Sequence, residues 1–171
     1  MLIKKILMLG EIGVGKTSIS RRLAFDTFGD VYKATIGVDI FRYELDPPPD
    51  GVPFQFLVWD TDGSYGEAIF RQVYARQSDA AMIISDVSRP ATIDTMIEIG
   101  RNFAATLPGR YFAHVINKVD LTDDAVPADL ATRLDELKVP WFDTSAASGR
   151  HVREAFTAAA RDIMRLDRAR P

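Results

Sequence analysis

Short, dense apolar runs alternate along this chain with stretches in which apolar residues recur every three or four positions. The runs are LIKKILML (2–9), GVDIFRYEL (37–45), PFQFLVWD (53–60), AAMIISDV (80–87), YFAHVIN (111–117) and VPWFD (139–143), and they read as strands. Helical spacing occupies roughly 16–25, 66–76, 91–106, 128–137 and 149–167. In the third of these, Ile93, Met96, Ile97, Gly100, Ala104 and Leu107 form one stripe; in the last, Val152, Ala155, Phe156, Ala159, Ile163 and Leu166 form another. Such stripes pack against a sheet and carry no chemistry of their own. The second and third runs are joined by DPPPDG (46–51), too short for a crossover helix, so they predict an antiparallel hairpin with a proline-stiffened loop. The other connections carry helices, which makes the rest of the sheet parallel. The expectation is one domain over residues 1–171, with a three-layer α/β architecture and a six-stranded, mainly parallel sheet containing one antiparallel strand.

Composition narrows the class. With 47% hydrophobic and 26% charged residues, the 171-residue chain can bury a core and is not a disordered type. A formal charge of −3 argues against a broad nucleic-acid-binding surface. No apolar run reaches the ~18 residues of a membrane span, and the start MLIKKILML reads as a core strand rather than a signal peptide. There is no cysteine, which excludes disulfides, thiolate metal sites, prenylation and palmitoylation; Leu2 excludes myristoylation. An unlipidated cytoplasmic protein without an intrinsic membrane anchor is the simplest expectation.

The first chemically specific stretch is GEIGVGKT, residues 10–17, between the first strand and the first helix. Gly10, Gly15, Lys16 and Thr17 fit the phosphate-loop pattern in its required context. Glycines let successive N–H groups turn toward phosphates, and the helix start adds its positive end. Lys16 supplies a compact charge for the outer phosphates, and the Thr17 hydroxyl is a hard ligand for Mg²⁺. The expected contacts from this loop are Gly13, Val14, Gly15, Lys16, Thr17 and Ser18.

A second motif reads the base. NKVD (117–120) follows the fifth strand, where ligands bind in open α/β sheets. A carboxylate at Asp120 can accept from N1–H and the N2 amine of guanine, a donor pair adenine lacks. Asn117 can meet N7 and tie this loop to the phosphate loop, and the Lys118 stem can cover the ring. TSA (144–146) follows the sixth strand, with Ser145 beside an Ala146 N–H placed for guanine O6.

These motifs, with DTFGDVYKATIGVDI (26–40) and WDTDGSYG (59–66), resemble the small GTPases of the Ras superfamily, most closely the Rab branch, from about residue 3 to 166. The resemblance implies a P-loop NTPase fold of the Ras-like G-domain type, with GTP and GDP as ligands and Mg²⁺ as cofactor. Thr17, Thr35 and Asp60 would be the metal ligands. Thr35 and the Gly63 N–H would touch the third phosphate only in the triphosphate state, and Phe28 and Tyr32 would pack over guanine and phosphates. Lys16, Thr35, Gly63 and Ser64 are the candidate catalytic positions. Effectors, an exchange factor and an activating protein would engage residues 30–42 and 60–76.

Two departures from the family pattern fall on one chemical step. Ser64 stands where the family usually has a water-orienting glutamine, and its hydroxyl is too short for that task. Ile12 stands in the phosphate loop where small residues are common, crowding the space for that glutamine and for an arginine supplied in trans. Asp62 adds a charge beside the third phosphate. The implied activity is therefore slow hydrolysis of GTP, with Arg71 and Gln72 the nearest polar substitutes. The competing readings are a non-hydrolysing GTP-binding module acting through effectors and a P-loop kinase or ATPase, the latter opposed by Asp120. His114, on a strand, reads as packed, and His151, at the start of the last helix, as solvated.

Overall fold

A computed structural model of the chain describes residues 1–29, 37–61 and 77–169. The elements within them are β1 (Leu2–Leu9), α1 (Lys16–Phe25), β2 (Val38–Glu44), β3 (Phe54–Thr61), β4 (Ala80–Asp86), α2 (Pro90–Thr106), β5 (Tyr111–Asn117), α3 (Ala128–Glu136), β6 (Trp141–Asp143) and α4 (Val152–Arg168). Short 3₁₀ turns occupy Pro49–Gly51 and Val119–Thr122. The expected helix over 66–76 lies outside the described residues.

The sheet runs β2-β3-β1-β4-β5-β6. β2 and β3 pair antiparallel from Val38↔Thr61 to Glu44↔Gln55, as the short proline-rich link requires, and every other pair is parallel. β4 is buried at every position, the mark of a central parallel strand covered on both faces. Along β1 the two faces separate cleanly. Ile6 and Met8 join a core with Ile19 and Leu23 of α1 and Val152, Phe156 and Ile163 of α4. Leu7 and Leu9 join a second core with Ile93, Met96 and Phe103 of α2 and Leu134 of α3. Three layers follow from this alternation. β6 is shorter than its apolar run, and α4 starts at Val152 rather than 149, where Gly149 and His151 still hold positive φ.

The chain leaves β1 toward the α1/α4 layer and leaves β4 toward the α2/α3 layer. That divergence opens a crevice at the carboxyl ends of the two strands, the usual ligand position in such sheets. The segments that line this end are 10–17, 87–89, 118–122 and 144–150.

His114 confirms the packed reading and adds a cost. It is 2% exposed, and neither ring nitrogen has a hydrogen-bond partner among the described residues. Gly100 of α2 lies against it: a Cβ there would sit 2.6 Å from Nε2 and 3.1 Å from the Phe112 ring. The glycine in the α2 stripe thus marks the close approach of helix to strand. Burial pushes the His114 pKa down to about 4 from 6.5. The unfolded chain therefore takes up this proton first as pH falls, and folded stability is lost between 6.5 and about 4. The full loss is about 3 kcal/mol, from roughly 1.4 kcal/mol per pH unit. His114→Gln removes the titration, so the stability difference between variant and wild type should shift in the variant's favour by that amount between pH 7 and pH 4. Chemical denaturation at a series of pH values measures this; a difference independent of pH would contradict it.

Candidate nucleotide site

The loop after β1 is built from peptide units held by their carbonyls. Lys16 Nζ donates to Gly10 O at 2.9 Å and Glu11 O at 2.8 Å. Arg89 Nη2 donates to Ile12 O at 3.0 Å, Lys118 Nζ to Gly13 O at 2.8 Å, and Asn117 Nδ2 to Val14 O at 3.0 Å. Gly15 O accepts from Ile19 N in the first turn of α1. Every carbonyl from Gly10 to Gly15 thus has a donor. In a trans peptide C=O and N–H point opposite ways, so holding each oxygen fixes the following N–H as well. Ile19 N aside, these donors are side chains set around the loop rather than the loop's own N–H groups, and the loop leads into the start of α1, where anions bind.

Two glycines are required by space. Gly10 has φ +140°, and a Cβ there would lie 2.2 Å from Ile84 O. Gly15 has φ +102°, and a Cβ would lie 2.3 Å from Asn117 Nδ2, displacing the side chain that holds Val14.

Asn117 is 1% exposed and uses both ends of its amide. Its Oδ1 accepts from Thr144 Oγ1 at 3.1 Å and from Ala146 N at 3.2 Å. The Ala146 N–H assigned to guanine O6 from the sequence is therefore engaged by Asn117 in this structure. Asp120 is exposed, and its Oδ1 accepts from Ser145 Oγ at 2.5 Å. The TSA and NKVD segments are thus joined to each other, and through Val14 to the phosphate loop. Arg22 of α1 adds a further tie, donating to Ala146 O at 2.8 Å and Ala147 O at 2.6 Å.

At the carboxyl end of β3, Thr17 Oγ1 donates to Asp60 Oδ2 in a short hydrogen bond. Asp60 is fully buried, and its Oδ1 has no partner among the described residues. Burial pushes its carboxyl up to about 6, against the Thr17 hydrogen bond and the charge of Lys16. A buried carboxylate oxygen without a donor, beside a hydroxyl, matches the hard-oxygen chemistry of Mg²⁺, which takes one or two protein ligands and completes its shell from phosphate and water. Thr17 and Asp60 therefore fit that ion.

Of the other positions expected from the sequence, Val14 is fully buried, Ser18 is half-buried on α1, and Phe28 is 45% exposed on irregular chain. Ile12 is 53% exposed at the loop crest. Tyr32, Thr35, Asp62, Gly63, Ser64, Arg71 and Gln72 lie outside the described residues. His151 is not simply solvated: its Nδ1 lies 3.1 Å from both O and Oδ1 of Asp143.

The structure adds residues that motif reading did not single out. Asp86, at the end of β4, is 2% exposed and accepts from Lys118 Nζ at 2.7 Å, Arg89 Nε at 3.2 Å and Ser88 N and Oγ. Burial alone would raise its pKa; the Lys118 and Ser88 hydrogen bonds outweigh that and hold it below the ordinary carboxylate value. Thr95 of α2 donates to Glu11 Oε1 at 2.5 Å. The position of Asp86 at a strand's carboxyl end was the available signal.

A glycine loop at the crevice of a parallel sheet, opening a helix and braced by the next strands' loops, defines a phosphate-binding α/β protein. The Ras family model matches residues 5–165. The chain belongs to the Ras family, whose members are GTP-binding molecular switches that typically use Mg²⁺ and act with regulators or effectors. Its similarity lies toward Rab proteins. It is 31% identical over 163 residues to a putative ras-related protein Rab-5B of Dictyostelium discoideum, covering 94% of this chain and 75% of the relative. Against the ras-related protein Rab-32B of the same organism it is 29% identical, covering 95% of this chain and 65% of that protein. Against the GTP-binding protein yptV2 of Volvox carteri it is 28% identical, covering 94% and 75%. No helix among the described residues is long and apolar enough to cross a membrane.

The buried Asp60 charge generates a prediction. Its folded pKa of about 6 lies above 3.8, so stability falls as pH rises through that window and the full cost, about 3 kcal/mol, is carried at pH 7.5. Asp60→Asn removes the charge and keeps an acceptor for Thr17. The nucleotide-free variant should be more stable than wild type at pH 7.5 by up to that amount, and should lose most of the stabilisation that Mg²⁺ with GDP gives. Thermal unfolding with and without Mg²⁺·GDP checks both halves; a nucleotide-free variant less stable than wild type at pH 7.5 would contradict the assignment.

Proposed function

We propose that this chain is a single-domain guanine-nucleotide switch that binds GTP and GDP with Mg²⁺ and hydrolyses GTP slowly to GDP and phosphate. The observation that carries the reading is the Asp120–Ser145 pair: it places an exposed carboxylate at the end of β5, linked through Asn117 to the phosphate loop. A carboxylate there matches the adjacent N–H donors of guanine and offers adenine nothing, which speaks against an ATP-dependent kinase or ATPase. Gly13, Val14, Gly15, Lys16, Thr17 and Ser18 would surround the phosphates, with Phe28 and Tyr32 over the nucleotide and Asn117, Lys118, Asp120, Ser145 and Ala146 around the base.

Thr17, Thr35 and Asp60 would hold Mg²⁺, which supplies neutralisation of charge on the outer phosphate oxygens. In hydrolysis a water oxygen bonds to the terminal phosphorus as the bond to the bridging oxygen breaks. Lys16 and the loop N–H groups stabilise the charge that develops, and no protein group becomes covalently attached. Thr35 and Gly63 report the third phosphate by binding it and releasing it, an order–disorder signal read by partners at residues 30–42 and 60–76. Ile40, 54% exposed on the edge strand β2, is the exposed large apolar residue of that surface among the described residues. Ser64 and Ile12 both disfavour placement of the attacking water.

Single-turnover hydrolysis of bound GTP tests the proposal. Wild type alone should turn over at or below about 10⁻⁴ per second, the order of an unassisted Ras-type enzyme. Ser64→Gln and Ile12→Gly should each help little, and the double variant should exceed the product of the two single effects. Fast wild-type turnover would overturn the slow-hydrolysis reading and point to Arg71 or Gln72. No turnover in the wild type or the double variant would favour the non-hydrolysing module.

A further inference from the structure

The side chains that hold the loop carbonyls are of two kinds. Lys16, Lys118 and Asn117 belong to the motifs that read phosphate and base. Arg89 belongs to neither, yet among the described residues it alone holds Ile12 O, at 3.0 Å. It stands immediately before α2, whose first residue is Pro90, and its Nε is fixed by Asp86 Oδ2 at 3.2 Å. The same Asp86 oxygen takes Lys118 Nζ at 2.7 Å. One buried carboxylate therefore aims two cations at two consecutive carbonyls of the phosphate loop, Ile12 and Gly13. One helical turn further along α2, Thr95 holds the Glu11 side chain at 2.5 Å.

The peptide between Ile12 and Gly13 precedes a glycine, which eases its turning over. Gly13 has φ +79° and no Cβ to resist rotation; the nearest atom a Cβ would meet is Arg89 Nη2 at 3.6 Å. If that peptide flips, Ile12 O turns into the cradle and the Gly13 N–H turns out of it. An inward carbonyl would repel phosphate and remove one donor. The Arg89 hydrogen bond opposes that flip, and Thr95 holds the adjoining residue from the same helix.

We propose that Arg89, aimed by Asp86 and assisted by Thr95, is a positioning clamp that keeps the phosphate-loop crest in its anion-binding form and sets how long a guanosine diphosphate is retained. The proposal deepens the guanine-nucleotide reading above and rests on it. The clamp acts on the phosphate end alone. It makes the start of α2 a point from which displacement of the helix alters nucleotide release without touching the base contacts.

The test is release of a fluorescent guanosine diphosphate from the full chain, chased with unlabelled nucleotide in excess Mg²⁺. Arg89→Ala should speed release about tenfold, the worth of one charge-assisted hydrogen bond. Thr95→Val, which keeps the shape of the side chain, should speed it about threefold, as expected for one neutral hydrogen bond. Arg89→Lys keeps the charge without the fork needed to bridge Asp86 and Ile12, and should recover only part of the loss. The preference for guanosine over inosine diphosphate should stay at the wild-type ratio, because Asp120 is untouched, and the thermal midpoint of the nucleotide-free variants should match wild type. Release within twofold of wild type in Arg89→Ala overturns the clamp. So does full rescue by lysine, an equal loss of guanine preference, or a lowered nucleotide-free midpoint that accounts for the faster release. Wild type that retains no guanosine diphosphate defeats the functional reading itself, whereas indifferent variants of a binding-competent wild type defeat only the clamp.

Discussion

The opposition of C=O and N–H in a planar peptide is the constraint on which the site depends. A loop can present several N–H groups to one phosphate only if the carbonyls between them are satisfied elsewhere. Here the partners come from Lys16, Arg89, Lys118, Asn117 and the first turn of α1. They arrive from the ends of β4 and β5 and from α1, so the order of strands in the sheet decides whether the loop can form. The parallel core exists, in functional terms, to bring those ends to one crevice.

The assembly concentrates buried charge. Lys16, Asp60 and Asp86 are each nearly or fully buried, and their solutions differ. Asp86 is paired with Lys118 and Arg89 and held ionised. Among the described residues Asp60 has only the Thr17 hydroxyl, on one oxygen, and its charge is disfavoured. The contrast separates a carboxylate that serves the architecture from one suited to an incoming cation. Stability is given up at Asp60, and binding energy can recover it.

Much of this was legible in the sequence, for physical reasons that differ by element. β4 and β5 are apolar apart from Ser85, Asp86, His114 and Asn117, because strands covered on both faces favour apolar side chains, and the DPPPDG link left the hairpin no alternative. Gly10, Gly15, Lys16, Thr17, Asn117 and Asp120 carried their placement in their spacing. Arg89, Thr95 and Arg22 did not, because they act on backbone carbonyls or a single side chain across the fold, and an acceptor carbonyl has no residue type. The partner of Ala146 N–H was hidden for the same reason: Asn117 Oδ1 reaches it only once β5 and β6 are paired. His114 was recognisable as packed, but its lack of partners depends on Gly100 drawing α2 against β5.

The central claim is that the braced loop and the Asp120 carboxylate together hold a guanine nucleotide. Native mass spectrometry of the purified chain, followed by chromatography of the released ligand, tests it most directly. The account predicts one bound GDP or GTP per chain, retained with Mg²⁺ and released by a chelator. A chain that carries an adenine nucleotide, or none even after incubation with Mg²⁺ and GDP, would contradict it.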